Sequence, residues 1–391
     1  MQSKSLTRRT ALAATGAVVA ATGAATAATG MSQKPLRAQN KSDVIVIGAG
    51  LSGLNAALLL EEQGYTVQVI EGRDRIGGRL LSLRDIPGTP EAGGNGIGSG
   101  YGRMIDTVER LKIPMLNSAG RAQMTPFELY LDGERISAEQ WPTHPKNILP
   151  EAFKNFSPRL VPLVLLRQTN PLASFEDWYD PKSKPHDISV YDVFKKNGFT
   201  DEQIDLTYNL NVAYGTSAHD ISALMMWFND GWVASMEGGP PTTLSAIGGN
   251  MTIPETMAKA LIGEVHLNRT VVGVSDTSGG AEVVCGDGTV YRADHVVCSL
   301  PLPVMRHVRF DPFLPSVQAK AISMVPYFPM TQVHLVATEP FWEDDEWSPD
   351  MWTDTVAGHV IGNRHNVENS DVTSLTAWAR GFTAHKLDRA S

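Results

Sequence analysis

Apolar residues follow two different periods between Val44 and Ile70. Val44-Ile45-Val46-Ile47 is a continuous β-branched run without helical repeat, stopped by Gly48, which predicts a strand buried on both faces. Leu51, Leu54, Leu58 and Leu59 then recur at helical spacing, predicting a helix from Leu51 to Gln63 that Gly64 ends. Val67 to Ile70 resumes the strand pattern and runs directly into Glu71.

Beyond this unit, Tyr101 to Leu111 has helical periodicity. From about Ala119 the texture changes. Leu129 to Ile136 reads as a hairpin turning at Asp132-Gly133, and Val190 to Lys196, Asp201 to Tyr214 and Ser222 to Trp232 read as helices among Pro- and Trp-punctuated loops. A helix at Ile253 to Leu261 leads to a strand at Val265 to Val272. Strands at Glu282 to Cys285, Val290 to Arg292 and Asp294 to Leu300 follow, making a meander with an Asp287-Gly288 turn. Thr331 to Val336 and Thr373 to Ala379 predict further strands, and Gly381 to Arg389 a helix.

The glycines of Gly48-Ala49-Gly50-Leu51-Ser52-Gly53 have separate reasons. Gly48 allows a tight turn, Gly50 lets backbone approach a diphosphate, and Gly53 lets the helix pack close to the strand. The N–H groups of Leu51 and Ser52 and the positive dipole end would face that diphosphate. Glu71 stands where a carboxylate accepts from ribose hydroxyls, and it would repel a 2′-phosphate, which favours FAD or NAD over NADP. A second glycine set follows in Gly72-Arg73-Asp74-Arg75-Ile76-Gly77-Gly78-Arg79 and Gly93-Gly94-Asn95. Paired glycines permit backbone approach to a ligand, and Arg79 can make charge-assisted bonds to phosphate.

Taken together, Gly48 to Gly98 resembles the flavin-containing amine oxidase family, which includes monoamine, polyamine and L-amino-acid oxidases. The resemblance implies an α/β fold, with a Rossmann-like FAD-binding domain of parallel sheet plus β-meander interleaved with an α+β substrate domain. It implies FAD-binding segments at 42–117 and 244–309 and substrate segments at 118–243 and 310–391. It also implies that the Val271 backbone pairs with adenine; an ordinary buried strand valine is the alternative. FAD would be non-covalent, because no C-terminal cysteine is present for attachment.

Two departures accompany the resemblance. The family's third nucleotide-binding segment has no counterpart after Trp378, so the chain is expected to be truncated. Gln332 stands where many members carry a lysine near flavin N5, and a neutral amide supplies no positive charge there. Its neighbour His334 points to the same strand face, where a structural histidine is the simpler reading. Candidates for an apolar, aromatic amine pocket are Tyr208, Asn211, Tyr214, Met226, Trp227 and Trp232; core packing is the alternative for each. The expected reaction oxidises a small-molecule amine to an imine, with O2 or a periplasmic carrier taking the electrons. A non-catalytic flavin-binding remnant, or a flavin enzyme acting on a carotenoid or porphyrin-type polycycle, are the alternatives.

Composition narrows the reading further. The chain has 391 residues and 42% apolar content, enough for more than one domain. Residues 1–30 pair Arg8-Arg9 with a weakly apolar, acid-free stretch ending near Ala25-Thr26-Ala27, which reads as a twin-arginine export signal, with a polar linker at 31–41 and a periplasmic destination. Loss of Lys4, Arg8 and Arg9 takes the formal charge from −9 to −12, a poor match for nucleic acid or an anionic membrane. Cys285 and Cys298 are expected as buried thiols, and no Cys/His cluster has metal spacing. Oligomeric state stays open, a homodimer included.

Overall fold

The computed structural model describes residues 17–18, 41–117, 127–235, 243–344, 347–364 and 371–389. The expected export signal and linker lie outside these, apart from Ala17–Val18 and Lys41.

Two sheets organise the chain. In the first, the strand order is Arg309–Asp311, Val271–Thr277, Gly280–Cys285, Val290–Cys298, Ser42–Ile47, Val67–Ile70, Val265–His266, and Ala17–Val18 pairs with Val297 and Cys298. Ser42–Ile47 is central and parallel to both neighbours. The reason is in its side chains: Val44 and Val46 face the helices Leu51–Glu62, Gly102–Arg110 and Thr252–Ala260, while Ile45 and Ile47 face the meander. Both sets are almost fully buried, so the run shows no alternation of polar and apolar positions. Cys285 and Cys298 are free, buried thiols.

Two expectations about this sheet change. Val265 to Val272 is broken into two strands, because Asn268 takes a positive φ of 55°. There the chain turns to let Asn268 and Arg269 donate to the carbonyls of Arg73 and Glu71, at 2.8 Å each. Conversely, Val290 to Cys298 is one strand: Val290–Ala293 pairs antiparallel with the meander and His295–Cys298 parallel with the central strand.

The second sheet orders as Met330–Leu335, Ser374–Arg380, His359–Asn363, Met351–Thr353, Glu128–Leu131, Glu134–Ile136. Its Asp132-Gly133 turn has positive φ at both residues, as a two-residue hairpin requires. One face packs Leu129, Ile136 and Trp352 against a helical block that includes Val161–Gln168, Val190–Lys196 and Ala223–Ala234. The expected helix at Asp201 to Tyr214 is shorter. It runs from Asp201 to Ile204, passes through a π turn at Asp205–Asn209, and leaves helical structure before Asn211. Thr207 Oγ1 bonds back to the Gln203 carbonyl at 2.7 Å, and Asn209 accepts from Ala218 N, which binds the next loop to the widened turn. The edge strand Met330–Leu335 leaves Val333 and Leu335 half exposed on its outer side.

Helix-to-strand closeness gives a test. A Cβ on Gly53 would lie 2.0 Å from the Gly48 carbonyl oxygen and 2.7 Å from Ser299 Oγ, whereas one on Gly102 meets nothing within 4 Å. Gly53→Ala is expected to cost about 2–4 kcal/mol. Gly102→Ala, at the start of a helix, is expected to be neutral or to stabilise by up to about 1 kcal/mol. Urea unfolding of both variants measures the contrast.

Candidate functional site

The glycine turn and Glu71 meet at the carboxyl end of the central strands. Glu71 Oε2 accepts from Ala49 N and Oε1 from Arg73 N, both at 2.9 Å, so one carboxylate holds the turn after each of two neighbouring strands. Each oxygen keeps a further lone pair, as recognition of hydroxyls requires. Gly48 has a φ of 103°, and Ser299 Oγ, donating to the carbonyls of Ile47 and Gly48, occupies the space where its Cβ would be.

Gly50 does something the sequence did not suggest. It bridges to Gly77, and the Gly77 N–H donates to the Ala49 carbonyl at 2.8 Å. A Cβ on Gly78 would lie 3.2 Å from Gly50 Cα. Two glycine turns therefore rest backbone on backbone. Arg73 and Arg75 hold the second one in shape: Arg73 Nη1 donates to the Gly78 carbonyl, and Arg75 to those of Ile76, Gly78 and Leu80. The Arg73 guanidinium is thus turned toward its own loop, and Arg75, not singled out from sequence, does the same. Arg79 is exposed, and no described residue bonds its guanidinium.

Gly93 and Gly94 sit against this loop. Gly94 N donates to the Arg79 carbonyl, and a Cβ on Gly93 would lie 2.1 Å from that oxygen. Asn95 is exposed beside them. Beneath lies Glu91, a buried acid that sequence reading passed over: it accepts from Ser82 Oγ and from Asn250 N, while Asn250 Nδ2 donates to the Gly94 carbonyl. Burial pushes the Glu91 carboxyl above its usual pKa, against those bonds. Nothing in its local pattern marks it, because the Asn250 N–H that bonds it comes from 159 residues away. Val271 starts its strand next to Thr270, whose hydroxyl reaches the Gly72 carbonyl at 3.4 Å, so Gly72 and Val271 share one end of the sheet with Glu71.

A dinucleotide fits these residues. The Leu51–Glu62 helix begins at Gly50 with no side-chain cap and no acid in its first turn, leaving the N–H groups around Leu51, Ser52 and Gly53 to an anion.

A second feature lies in the other half of the chain. A cavity of about 290 Å³ opens between the second sheet and the helical block. Tyr208, Asn211, Tyr214 and Met226 line it, the first three delivered by the π turn and the loop after it. Trp227 and Trp232 are not brought there. Trp227 is buried in the helical core beside His186, and Trp232 packs edge-on against Tyr101. Gln332 is not on the lining either, but it pairs across the sheet with Trp378, and Trp378 with His359, so the three share one face. Both atoms of its amide are buried without partners among the described residues. His334 bonds Thr376 Oγ1 at 3.0 Å.

His359 reaches the lining from that row. Burial, with the charges of Arg380 and Arg159, pushes its pKa down to about 3. The unfolded chain therefore binds a proton that the folded chain refuses between the ordinary histidine value and about 3. The resulting stability is complete above the ordinary value and is lost as pH falls through that window. His359→Phe is expected to lessen the fall in thermal midpoint between pH 7 and about 5 by a few degrees, measured by calorimetry at several pH values.

A family model described as flavin containing amine oxidoreductase matches residues 51–389. The flavin-containing amine oxidase B of Mus musculus is 25% identical over 371 residues, covering 89% of this chain and 66% of its own length. The Homo sapiens form is 26% identical over 338 residues, covering 81% and 61%. The chain thus spans just under two thirds of these curated relatives. Among solved structures, a putrescine oxidase bound to putrescine superposes with a TM-score of 0.68 at 24% identity, covering 90% of this chain and 78% of that one. Cyclohexylamine oxidase from Brevibacterium oxydans IH-35A gives 0.70 at 21% identity, covering 89% and 77%. With the match running from the first helix to the last, this chain belongs to the flavin-containing amine oxidoreductase family.

Proposed function

We propose that the chain binds FAD non-covalently and oxidises a small-molecule amine. The observation that carries this reading is the joining of the two glycine turns around Glu71, in a chain of this family. The N–H groups at Leu51 to Gly53 would hold the diphosphate, Glu71 the ribose, Arg79 a phosphate charge, and the strand at Val271 the adenine side. Gly77, Gly78, Gly93 and Gly94 would let the backbone lie against the cofactor. FAD, when bound, supplies the two-electron acceptor for conversion of an amine to an imine, which water hydrolyses to a carbonyl compound and ammonia or an amine.

The protein's part is to bind, orient and exclude water. Tyr208 and Tyr214 offer aromatic surface and Asn211 a polar amide, in keeping with a pocket for a small organic molecule. Gln332 can position a water but brings no charge; the electron acceptor is O2, forming H2O2, or a periplasmic carrier. The Arg8-Arg9 signal supports export of the folded protein by the twin-arginine machinery. One observation favours a second reading, a flavin-binding chain without turnover: Gln332 brings no positive charge where many family members carry a lysine.

Two measurements decide between them. Titration with FAD should restore a yellow, protein-bound flavin, and Glu71→Lys should weaken binding by about tenfold or more, through lost hydrogen bonds to ribose and to Ala49 N. Anaerobic addition of a panel of amines should then bleach the bound flavin. Bound flavin that no amine bleaches selects the second reading, and failure to bind FAD overturns both.

A further inference from the structure

Consecutive peptide units of the first glycine turn are each held at both ends. In the unit joining Ile47 to Gly48, the Gly48 N–H donates to the Ile70 carbonyl at 2.7 Å. At its other end the Ile47 carbonyl accepts from Ser299 N at 2.9 Å and from Ser299 Oγ at 2.8 Å. In the unit joining Gly48 to Ala49, the Ala49 N–H donates to Glu71 Oε2 at 2.9 Å, and the Gly48 carbonyl takes the longer branch of the Ser299 hydroxyl bond at 3.2 Å. Because a peptide unit is planar, bonds at its two ends fix its tilt. The turn, with its Gly48 φ of 103°, is thus set by the strand leading to Glu71 on one side and by Ser299 on the other.

Ser299 is 251 residues from Gly48 in the chain. It follows directly on Val290–Cys298, whose last residue pairs with Ile47. Its fit is close. A Cβ on Gly48 would lie 2.6 Å from Ser299 Oγ, and one on Gly53 would lie 2.7 Å from it, so the hydroxyl fills the gap between the turn and the start of the helix. Ser299 also lines a cavity of about 180 Å³ together with Leu51, Ser52 and Val297. Two carbonyls converge on this hydroxyl, so an apolar group in its place would leave them short of a donor in a part-buried site. Hydrogen bonds in series polarise one another, so donation to the Gly48 carbonyl strengthens the Ala49 N–H as a donor to Glu71. The same backbone runs on through Gly50 into the uncapped helix start.

We propose that Ser299 is a positioning residue for the cofactor: its hydroxyl holds the Gly48 turn in the shape that presents the helix start to a diphosphate, and it acts together with Glu71 through the one peptide unit they share. Resting on the FAD reading, this makes the second nucleotide-binding segment a working part of the first glycine turn. Ser299 exerts its effect through the backbone and needs no contact of its own with the cofactor.

Titration of the full chain with FAD, followed by flavin fluorescence, tests this. Ser299→Ala is expected to weaken FAD about fivefold, the worth of one ordinary hydrogen bond. Ser299→Thr and Ser299→Val have the same shape and differ only in the hydroxyl; the threonine variant is expected to bind FAD at least about threefold more tightly. In a Glu71→Ala background the Ser299→Ala penalty should shrink to about twofold or less, because the shared peptide unit has already lost one of its holds. In the cofactor-free chain, hydrogen exchange at the Ala49 amide should quicken about fivefold in Ser299→Ala while the amides of Val44 to Ile47 stay protected, whereas a general loss of stability would quicken both. Equal FAD affinity in the threonine and valine variants, an undiminished penalty without Glu71, or unchanged exchange at Ala49 would each overturn the proposal. If Ser299→Ala does not fold, the threonine and valine pair still decides. A parent chain that binds no FAD sinks the cofactor reading and this proposal together; FAD binding indifferent to the hydroxyl sinks this proposal alone.

Discussion

The contact on which the cofactor half depends is a backbone-to-backbone one between two glycine turns. Ala49-Gly50 and Gly77-Gly78 approach so closely that they share a bridge, and Glu71 holds the chain on both sides through bonds to Ala49 N and Arg73 N. A side chain at Gly78 would crowd Gly50 Cα at 3.2 Å, and Gly53 must in turn stay bare for the helix to sit on the Gly48 carbonyl. A strand buried on both faces makes this possible. It gives the turns a rigid base at the end of the sheet where the uncapped helix start and the Glu71 carboxylate meet.

Rigidity comes from outside the motif as well. Glu91 is buried against Ser82 and Asn250, and Arg84 is paired with Glu255 while bonding the Gly248 carbonyl. These contacts tie the loop after the second glycine set to the Thr252–Ala260 helix, so two segments far apart in the chain become one wall. The surface Arg84–Glu255 pair adds little by itself, as exposed ion pairs do. The buried Glu91 bonds matter more, since leaving them unmade would strand a carboxylate in a dry site.

The second sheet works through a row and not a loop. Gln332, Trp378, His359 and Trp352 are cross-strand neighbours on one face, and the row ends in the core at Leu129 and Ile136. Where it meets the π turn at Asp205–Asn209, the packing opens into the cavity. A π turn carries one residue too many for tight helix packing, and here the chain after it supplies Asn211 and Tyr214 to the space.

Local pattern by itself determined a good deal here. The β-branched run at Val44 to Ile47, the glycine spacing, the leucine repeat and Glu71 each depend on neighbours within a turn or a strand, so their period is readable and the nucleotide-binding half follows from it. The hairpin at Asp132-Gly133 is legible for the same reason, because positive φ at two positions selects those residues. Three things were decided only by tertiary structure. Asn268 broke an apparent strand to bond the residues after Glu71; Trp227 and Trp232 went to packing positions away from the cavity; and Arg159, Arg380 and His359, more than 200 residues apart at the extremes, converged on one space. None of these has a local signature, because burial of a charge or a ring depends on which distant surface closes over it.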